Sequence, residues 1–317
     1  MPAIDQATGP DWTLYHGDCV EVLADLPDHC IDYSIFSPPF ASLYTYSNSE
    51  RDMGNCRTMD EFLTHFGYLT RELRRVMQPG RDVSFHCMLL PTSKERHGVI
   101  GLQNFRDDLI NCFKREGFIH HSEVIIWKDP VTAMQRTKAL GLLHKTLRTN
   151  ASMSRQGLPD YLITMRAPGE PVRKVQHFAN QGEYLAAVSS GDVSPDYPDH
   201  SIIPVSEWQH LASPVWTDIN PSDTLQFRSA REHEDERHIC PLQLEVIRRG
   251  IRLWTNPGEI VLTPFAGIGS ELYAAIELGR KAIGAELKAS YYQQAVANLK
   301  ARNIQPDLFA CAAEDAA

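Results

Sequence analysis

Residues 31–40, Ile-Asp-Tyr-Ser-Ile-Phe-Ser-Pro-Pro-Phe, constrain the fold more than any other stretch of the chain. Ile31–Phe36 has the pattern of a strand covered on both faces. Pro38 and Pro39 follow at once. Neither has an N–H to give to a ladder, so the strand must stop there. Ser37-Pro38-Pro39-Phe40 is left at the strand's carboxyl end, where open α/β sheets bind their ligands.

The surrounding sequence alternates strand and helix. Trp12–Tyr15 reads as a strand and Val20–Leu26 as a helix ended by Pro27-Asp28. Met59–Met77 has helical spacing and is closed by Gln78-Pro79-Gly80. A strand over Asp82–Leu90, a helix over Asn104–Glu116 and a strand over Ile119–Trp127 come next. This order predicts a parallel sheet with helices on both faces. Ser42–Gly54, polar and carrying Tyr44 and Tyr46, reads as a mobile loop over the carboxyl end. From Lys128 to about Pro221 the alternation fails, Ser189–Pro204 reads as loop, and the stretch is expected to be an inserted recognition region. It resumes with a helix over Pro241–Leu253, a strand over Glu259–Leu262 and a helix over Ser270–Leu278. A strand over Ala282–Glu286 and a helix over Tyr291–Arg302 complete it, with a frayed tail after Pro306.

Composition narrows the class. The 317 residues carry a net charge of −9, which by itself argues against a polyanion binder. The charge is uneven. Residues 131–180 hold eight Lys/Arg against two acids, whereas residues 181–240 hold three arginines against eleven acids. Local basic blocks are what phosphate backbones respond to. Seven cysteines are scattered without a CxxC pair, which points to a reducing cytoplasm, no disulfide frame and no metal site. The first residues lack a basic start followed by an apolar run, and no apolar run is long enough to span a membrane.

Two stretches carry chemistry. Phe265-Ala266-Gly267-Ile268-Gly269-Ser270 lies between a strand and a helix, where glycines let backbone approach a ligand and helix N–H groups face an anion. Glu286 follows Gly267 by 19 residues, near the spacing of a ribose-binding carboxylate, and Leu272 stands where a dinucleotide fingerprint has its third glycine. The second stretch is Ser37-Pro38-Pro39-Phe40. An exocyclic amine on a nucleobase is a poor nucleophile because its lone pair is delocalised into the ring. Acceptors aimed at both N–H groups, the Ser37 hydroxyl and the Pro38 carbonyl, would pyramidalise the nitrogen, with the prolines fixing their aim. Phe40 could stack on a base rotated out of a duplex.

In this order the motifs resemble the β class of amino-group (N6-adenine and N4-cytosine) DNA methyltransferases. There the catalytic tetrapeptide precedes the recognition region and the Phe-x-Gly-x-Gly turn comes last. The resemblance runs through Gly17-Asp18, Ser37–Phe40, Trp127-Lys128, Pro241-Leu242-Gln243-Leu244, Pro264–Ser270 and Gly284-Ala285-Glu286-Leu287. It implies a doubly wound, Rossmann-like α/β methyltransferase sheet, with a catalytic half at 12–128, a target-recognition region at 129–235 and a cofactor half at 236–305. S-Adenosyl-L-methionine is the implied cofactor. Phe265, Ala266, Gly267, Ile268, Gly269 and Ser270 would hold its methionine end, and Glu286 its ribose. Leu287, Asp18 and Cys19 would meet the adenine. Ser37, Pro38, Pro39 and Phe40 would form the catalytic pocket. Arg136, Lys138, Lys145, Arg148 and Arg155 are the expected contacts to double-stranded DNA, and a homodimer would suit a palindromic site.

The chain departs from that pattern in two places. Thr263 stands where the family usually has aspartate, and His238–Gln243 replaces a run that normally supplies a lysine. Ser270, the helix N–H groups and His238 are the candidate substitutes. Serine at position 37 is more typical of relatives acting on cytosine N4. The chain as a whole resembles orphan, prophage-borne enzymes, several of which act on adenine, and this tips the expectation to adenine N6. An RNA or protein amine methyltransferase, and an inert DNA-binding relative, are the other readings.

Overall fold

Ile31–Phe36 does form a strand, and it lies at the middle of a nine-stranded sheet. The computed structural model describes residues 3–40, 52–92, 94, 98–137, 140–191, 202–225 and 241–304. Its strands are β1 (Ala3–Gly9), β2 (Trp12–Gly17), β3 (Ile31–Phe36), β4 (Met77–Cys87), β5 (Leu90–Pro91), β6 (Leu102–Gln103), β7 (Ile119–Ile126), β8 (Asp160–Arg166), β9 (Val215–Trp216), β10 (Ile260–Thr263) and β11 (Lys281–Glu286). The helices are α1 (Cys19–Ala24), α2 (Met59–Val76), α3 (Phe105–Arg115), α4 (Pro130–Thr137), α5 (His144–Thr149), α6 (Gln181–Ser190), α7 (Val205–Leu211), α8 (Leu244–Trp254), α9 (Ser270–Glu277) and α10 (Ala289–Ile304). The expected loop at Ser42–Gly54 lies mostly outside the described residues, as does the tail after Pro306.

The large sheet runs β1-β2-β11-β10-β3-β4-β8-β7-β9, with β5 and β6 forming a separate pair. Strands β2, β11, β10, β3 and β4 are parallel neighbours. Both faces are covered. On one face Phe36 and Phe85 pack with Phe62, Phe66 and Leu73 of α2 and Phe113 of α3. On the other Tyr33 and Ile35 pack with Ile247 and Ile251 of α8, Ala274 of α9 and Leu299 of α10. Apolar side chains emerging on both sides of one strand require this double winding.

The sheet is mixed, not wholly parallel as expected. β8 is antiparallel to both β4 and β7, and β1 forms an unforeseen hairpin with β2. β4 also starts earlier than expected. It runs straight on from α2 and absorbs Pro79 through Gly80, which sits at φ +69°, and the register with β3 shifts there. A Cβ at position 80 would meet Pro171 at 2.6 Å, so only glycine fits the bend.

β8 corrects the boundary drawn at residue 129. Asp160–Arg166 belongs to the centre of the core sheet, six of its seven residues buried, although it lies inside the expected insertion. Strand directions then divide that insertion. β3 and β4 are parallel, and Ile126 of β7 and Asp160 of β8 are paired at the end where Cys87 finishes β4. Residues 127–159, with α4 and α5, therefore rise from the carboxyl edge of the parallel strands. Residues 167–214, with α6 and α7, leave the sheet at the opposite edge, after Arg166, and return beside Ile125 of β7, where β9 pairs in parallel. At that opposite edge Glu259, almost wholly buried, accepts from Arg173 at 2.9 and 3.1 Å and pairs with buried Arg81. Arg173 is thus held at the far edge, tying residue 173 to the start of β10.

Candidate active site

Parallel strands bring four separated segments to one edge. Gly17 ends β2 with Asp18 next, Ser37–Phe40 follows β3, Pro264–Gly269 follows β10, and Leu287 follows β11. Residues of all four line a single cavity that includes both Phe40 and Gly267. Asp52, Met53, Leu242, Glu271, Lys288 and Tyr291 also line it. The sequence reading did not anticipate these six.

The glycine turn has the conformation its sequence demands. Gly267 and Gly269 take φ values of +53° and +88°. A Cβ on Gly269 would press on Ala295 of α10 at 3.2 Å, whereas nothing lies within 4 Å of the Cβ position on Gly267. The second glycine packs the helix down. The first leaves its own side-chain position open.

Glu286 closes the turn. Its Oε2 accepts from the Gly267 N–H and its Oε1 from the Lys288 N–H, each at 2.8 Å. Burial raises its pKa to about 7, against the lowering effect of those two N–H groups. Asp18 caps α1, its Oδ1 accepting from Val20 N–H at 2.9 Å and Glu21 N–H at 3.2 Å. Cys19 is buried, which pushes its thiol well above the ordinary range and leaves it unreactive. His16 Nε2 and the Leu287 carbonyl lie 3.1 Å apart, fixing the backbone after β11. Phe265 packs on Phe36 with ring centroids 5.7 Å apart, joining the cofactor turn to the strand that carries Ser37.

The floor of the cavity holds polar atoms without partners. Ser270 Oγ, which lines the cavity, and Thr263 Oγ1, on the last residue of β10, are buried and make no hydrogen bond. Glu271, on the first turn of α9, is fully buried, and burial raises its pKa to about 8. A cavity with an open glycine face, a buried carboxylate on two backbone N–H groups and unsatisfied hydroxyls fits a polar, cationic nucleoside ligand such as S-adenosyl-L-methionine.

The Glu271 shift has a consequence for stability. In the unfolded chain this carboxyl ionises near its ordinary value of 4.5, and in the folded protein near 8. Between those values the folded state binds the extra proton, so folding stability falls as pH rises. Glu271→Gln is expected to stabilise the ligand-free protein by about 3 kcal/mol at pH 7, with the gain vanishing toward pH 4.5. Chemical denaturation of wild type and variant across that range measures it.

Ser37 has a second set of neighbours that the sequence did not disclose. Its Oγ lies 3.2 Å from Nδ1 of His86, the penultimate residue of β4. His86 Nε2 is 3.0 Å from Asp160 Oδ2, and Lys128 Nζ is 2.5 Å from the same oxygen. Phe40 sets its ring edge-on to His86, with centroids 6.5 Å apart. Of the expected DNA contacts, Lys145 and Arg148 are exposed on α5 and Arg155 is half-buried beyond it. Arg136 ends α4, its side chain undescribed, while Lys138 and His238 lie outside the described residues.

M.BglII, a type II methyltransferase of Bacillus subtilis, is 24% identical over 280 residues, covering 88% of this chain and 66% of its own length. The chain spans about half to two thirds of the length of M.BglII and similar curated relatives. Among solved structures, the Thermus thermophilus protein TTHA0409, complexed with S-adenosyl-L-methionine, superposes with a TM-score of 0.62 at 21% identity, covering 92% of this chain and 96% of that one. The cytosine-N4-specific PvuII DNA methyltransferase superposes with a TM-score of 0.60 at 17% identity, covering 95% and 89%. The family model for N6/N4 DNA methylases matches residues 31–297, a span that runs from the first residue of β3 into α10. By that match across most of its length, with the fold and the order of its motifs in accord, the chain belongs to the N6/N4 DNA methylase family.

Proposed function

We propose that this chain is an S-adenosyl-L-methionine-dependent DNA methyltransferase acting on the exocyclic amine of a base rotated out of double-stranded DNA. The observation that carries this reading is the meeting of Ser37–Phe40 with Phe265–Ile268 and Ser270 in one cavity. When bound, S-adenosyl-L-methionine supplies a methyl group already activated by its sulfonium. Glu286 takes the ribose hydroxyls, Leu287, Asp18 and Cys19 meet the adenine, and Ser270 with the α9 N–H groups receives the methionine carboxylate. Ser37 Oγ and the Pro38 carbonyl accept from the target amine, and Phe40 stacks on the extruded base. Catalysis is then mostly positioning and amine activation.

Either amine satisfies this geometry. Serine at position 37 suits cytosine N4, and PvuII DNA methyltransferase is a cytosine-N4 enzyme of the same fold. Adenine N6 is the reading suggested by resemblance to the orphan enzymes. Arg136, Lys138, Lys145, Arg148 and Arg155 belong to the segment that rises from the catalytic edge, which supports duplex recognition by residues 127–159. Two copies on a palindromic site, in the cytoplasm, complete the proposal.

Single-molecule sequencing of DNA from a host expressing the chain identifies base and site together. Methylated adenine or cytosine in one short sequence context is expected. Unmodified DNA, combined with no calorimetric heat from S-adenosyl-L-methionine at millimolar concentration, overturns the reading.

A further inference from the structure

The contacts behind Ser37 form a line. Ser37 comes after β3, His86 from the end of β4, Asp160 from the start of β8, and Lys128 from just beyond β7. Four chain segments converge there, with the His86–Asp160 pair buried and Lys128 reaching it from the surface. His86 is 8% exposed and Asp160 3% exposed, so neither is a surface group caught near another. A buried imidazole between a hydroxyl and a carboxylate has its tautomer set by the carboxylate. With the Nε2 proton on the Asp160 side, Nδ1 carries a lone pair and receives the Ser37 O–H. Nε2 lies 3.0 Å from Oδ2 without the alignment of a hydrogen bond, so the carboxylate acts on the imidazole chiefly by its charge. Burial works to raise the Asp160 pKa, but His86 and Lys128 outweigh it and hold the group below its ordinary value. Asp160 is therefore a carboxylate at neutral pH.

A free serine hydroxyl can donate or accept. One whose proton is committed to His86 can only accept at its outer face. That is what amine activation needs, and an aspartate in the same place would supply it by charge. We propose that His86, backed by Asp160, is a positioning residue that keeps Ser37 an acceptor toward the target amine and takes up the proton the amine releases. This rests on the methyl-transfer reading above. In the step, the amine nitrogen forms its bond to the methyl carbon while the electron pair of the broken carbon–sulfur bond stays on sulfur. The nitrogen's proton passes to Ser37 Oγ as the Ser37 proton passes to His86 Nδ1. The resulting imidazolium faces Asp160 and later loses its proton to solvent.

A His86 already carrying a proton at Nδ1 would donate to Ser37 Oγ instead of accepting from it, so the relay needs the neutral imidazole and transfer should weaken in acid. The charged groups about the pair are Asp160 and Lys128, with Arg106, Asp107 and Glu123 beyond Cys87 on the α3 side. The test is single-turnover methylation of a duplex that the wild type modifies, at saturating S-adenosyl-L-methionine, across pH 5–9. His86→Phe is expected to fall about 100-fold at pH 8 and to lose the acid limb, with cofactor affinity by calorimetry unchanged. Asp160→Asn, isosteric and suited to the case where the phenylalanine variant misfolds, is expected to lower the rate about 10-fold and to move the acid limb to lower pH, with cofactor affinity unchanged. A His86→Phe rate close to wild type, or an acid limb that Asp160→Asn leaves in place, overturns the relay. Absence of any transfer by the wild-type protein overturns the methyl-transfer reading itself.

Discussion

Ser37→Ala is expected to lower the single-turnover methylation rate by about 100- to 1000-fold while leaving S-adenosyl-L-methionine affinity unchanged. The separation follows from where the hydroxyl sits. Ser37 Oγ faces His86 at 3.2 Å, on the β3–β4 side of the cavity, whereas the cofactor elements follow β10, β11 and β2. Removing the oxygen deletes an acceptor for the amine and strands the imidazole, but touches no group that holds the nucleoside. Rapid-quench transfer from tritiated cofactor, paired with calorimetry, measures both quantities. A rate equal to wild type would show that Ser37 is not the acceptor.

Glu286→Gln is the counterpart on the cofactor side. It is expected to weaken S-adenosyl-L-methionine binding about 10- to 100-fold, as befits the loss of a charge-assisted pair to the ribose hydroxyls. The damage has a second source within the protein. Both Glu286 oxygens accept backbone N–H groups, from Gly267 and Lys288, and an amide can serve only one of them. The Gly267 turn should loosen even without ligand. The pH sign is also determined. With the free carboxyl near 7 and diol binding favouring the ionised form, wild-type affinity should rise as pH increases through neutrality, and the glutamine variant should lose that slope. Isothermal titration between pH 6 and 8 reads both effects.

Much of the frame was legible because its signals are local. Consecutive prolines stop β3, glycines mark the turn before α9, and apolar spacing gives α2, α3 and α8. β8 was missed although Tyr161–Met165 reads well as a strand, because it is surrounded by proline and glycine that read as insertion. Once β8 was overlooked, Asp160 could not be placed beside His86, for that pairing depends on strand order and nothing local. The same applies to charge. Residues 131–180 look like one basic block, yet strand direction sends Lys145 and Arg148 to the catalytic edge and Arg173 to Glu259 at the other. Glu271 was overlooked because an acid in a helix's first turn ordinarily faces water and complements the dipole. Here that turn is the wall of a cavity.

The order of strands also governs how the polypeptide can be assembled. β2 and β3 are near neighbours in the chain, but in the sheet β11 and β10 stand between them. During synthesis those two early strands each present an open hydrogen-bonding edge until residues 260–286 have left the ribosome. The sheet can close only when residues 260–286 are available, a topology that pays loop-closure entropy late and folds slowly. A nascent chain of this kind must keep its unpaired edges from meeting other chains, and any break ahead of β10 would leave them permanently open to such encounters.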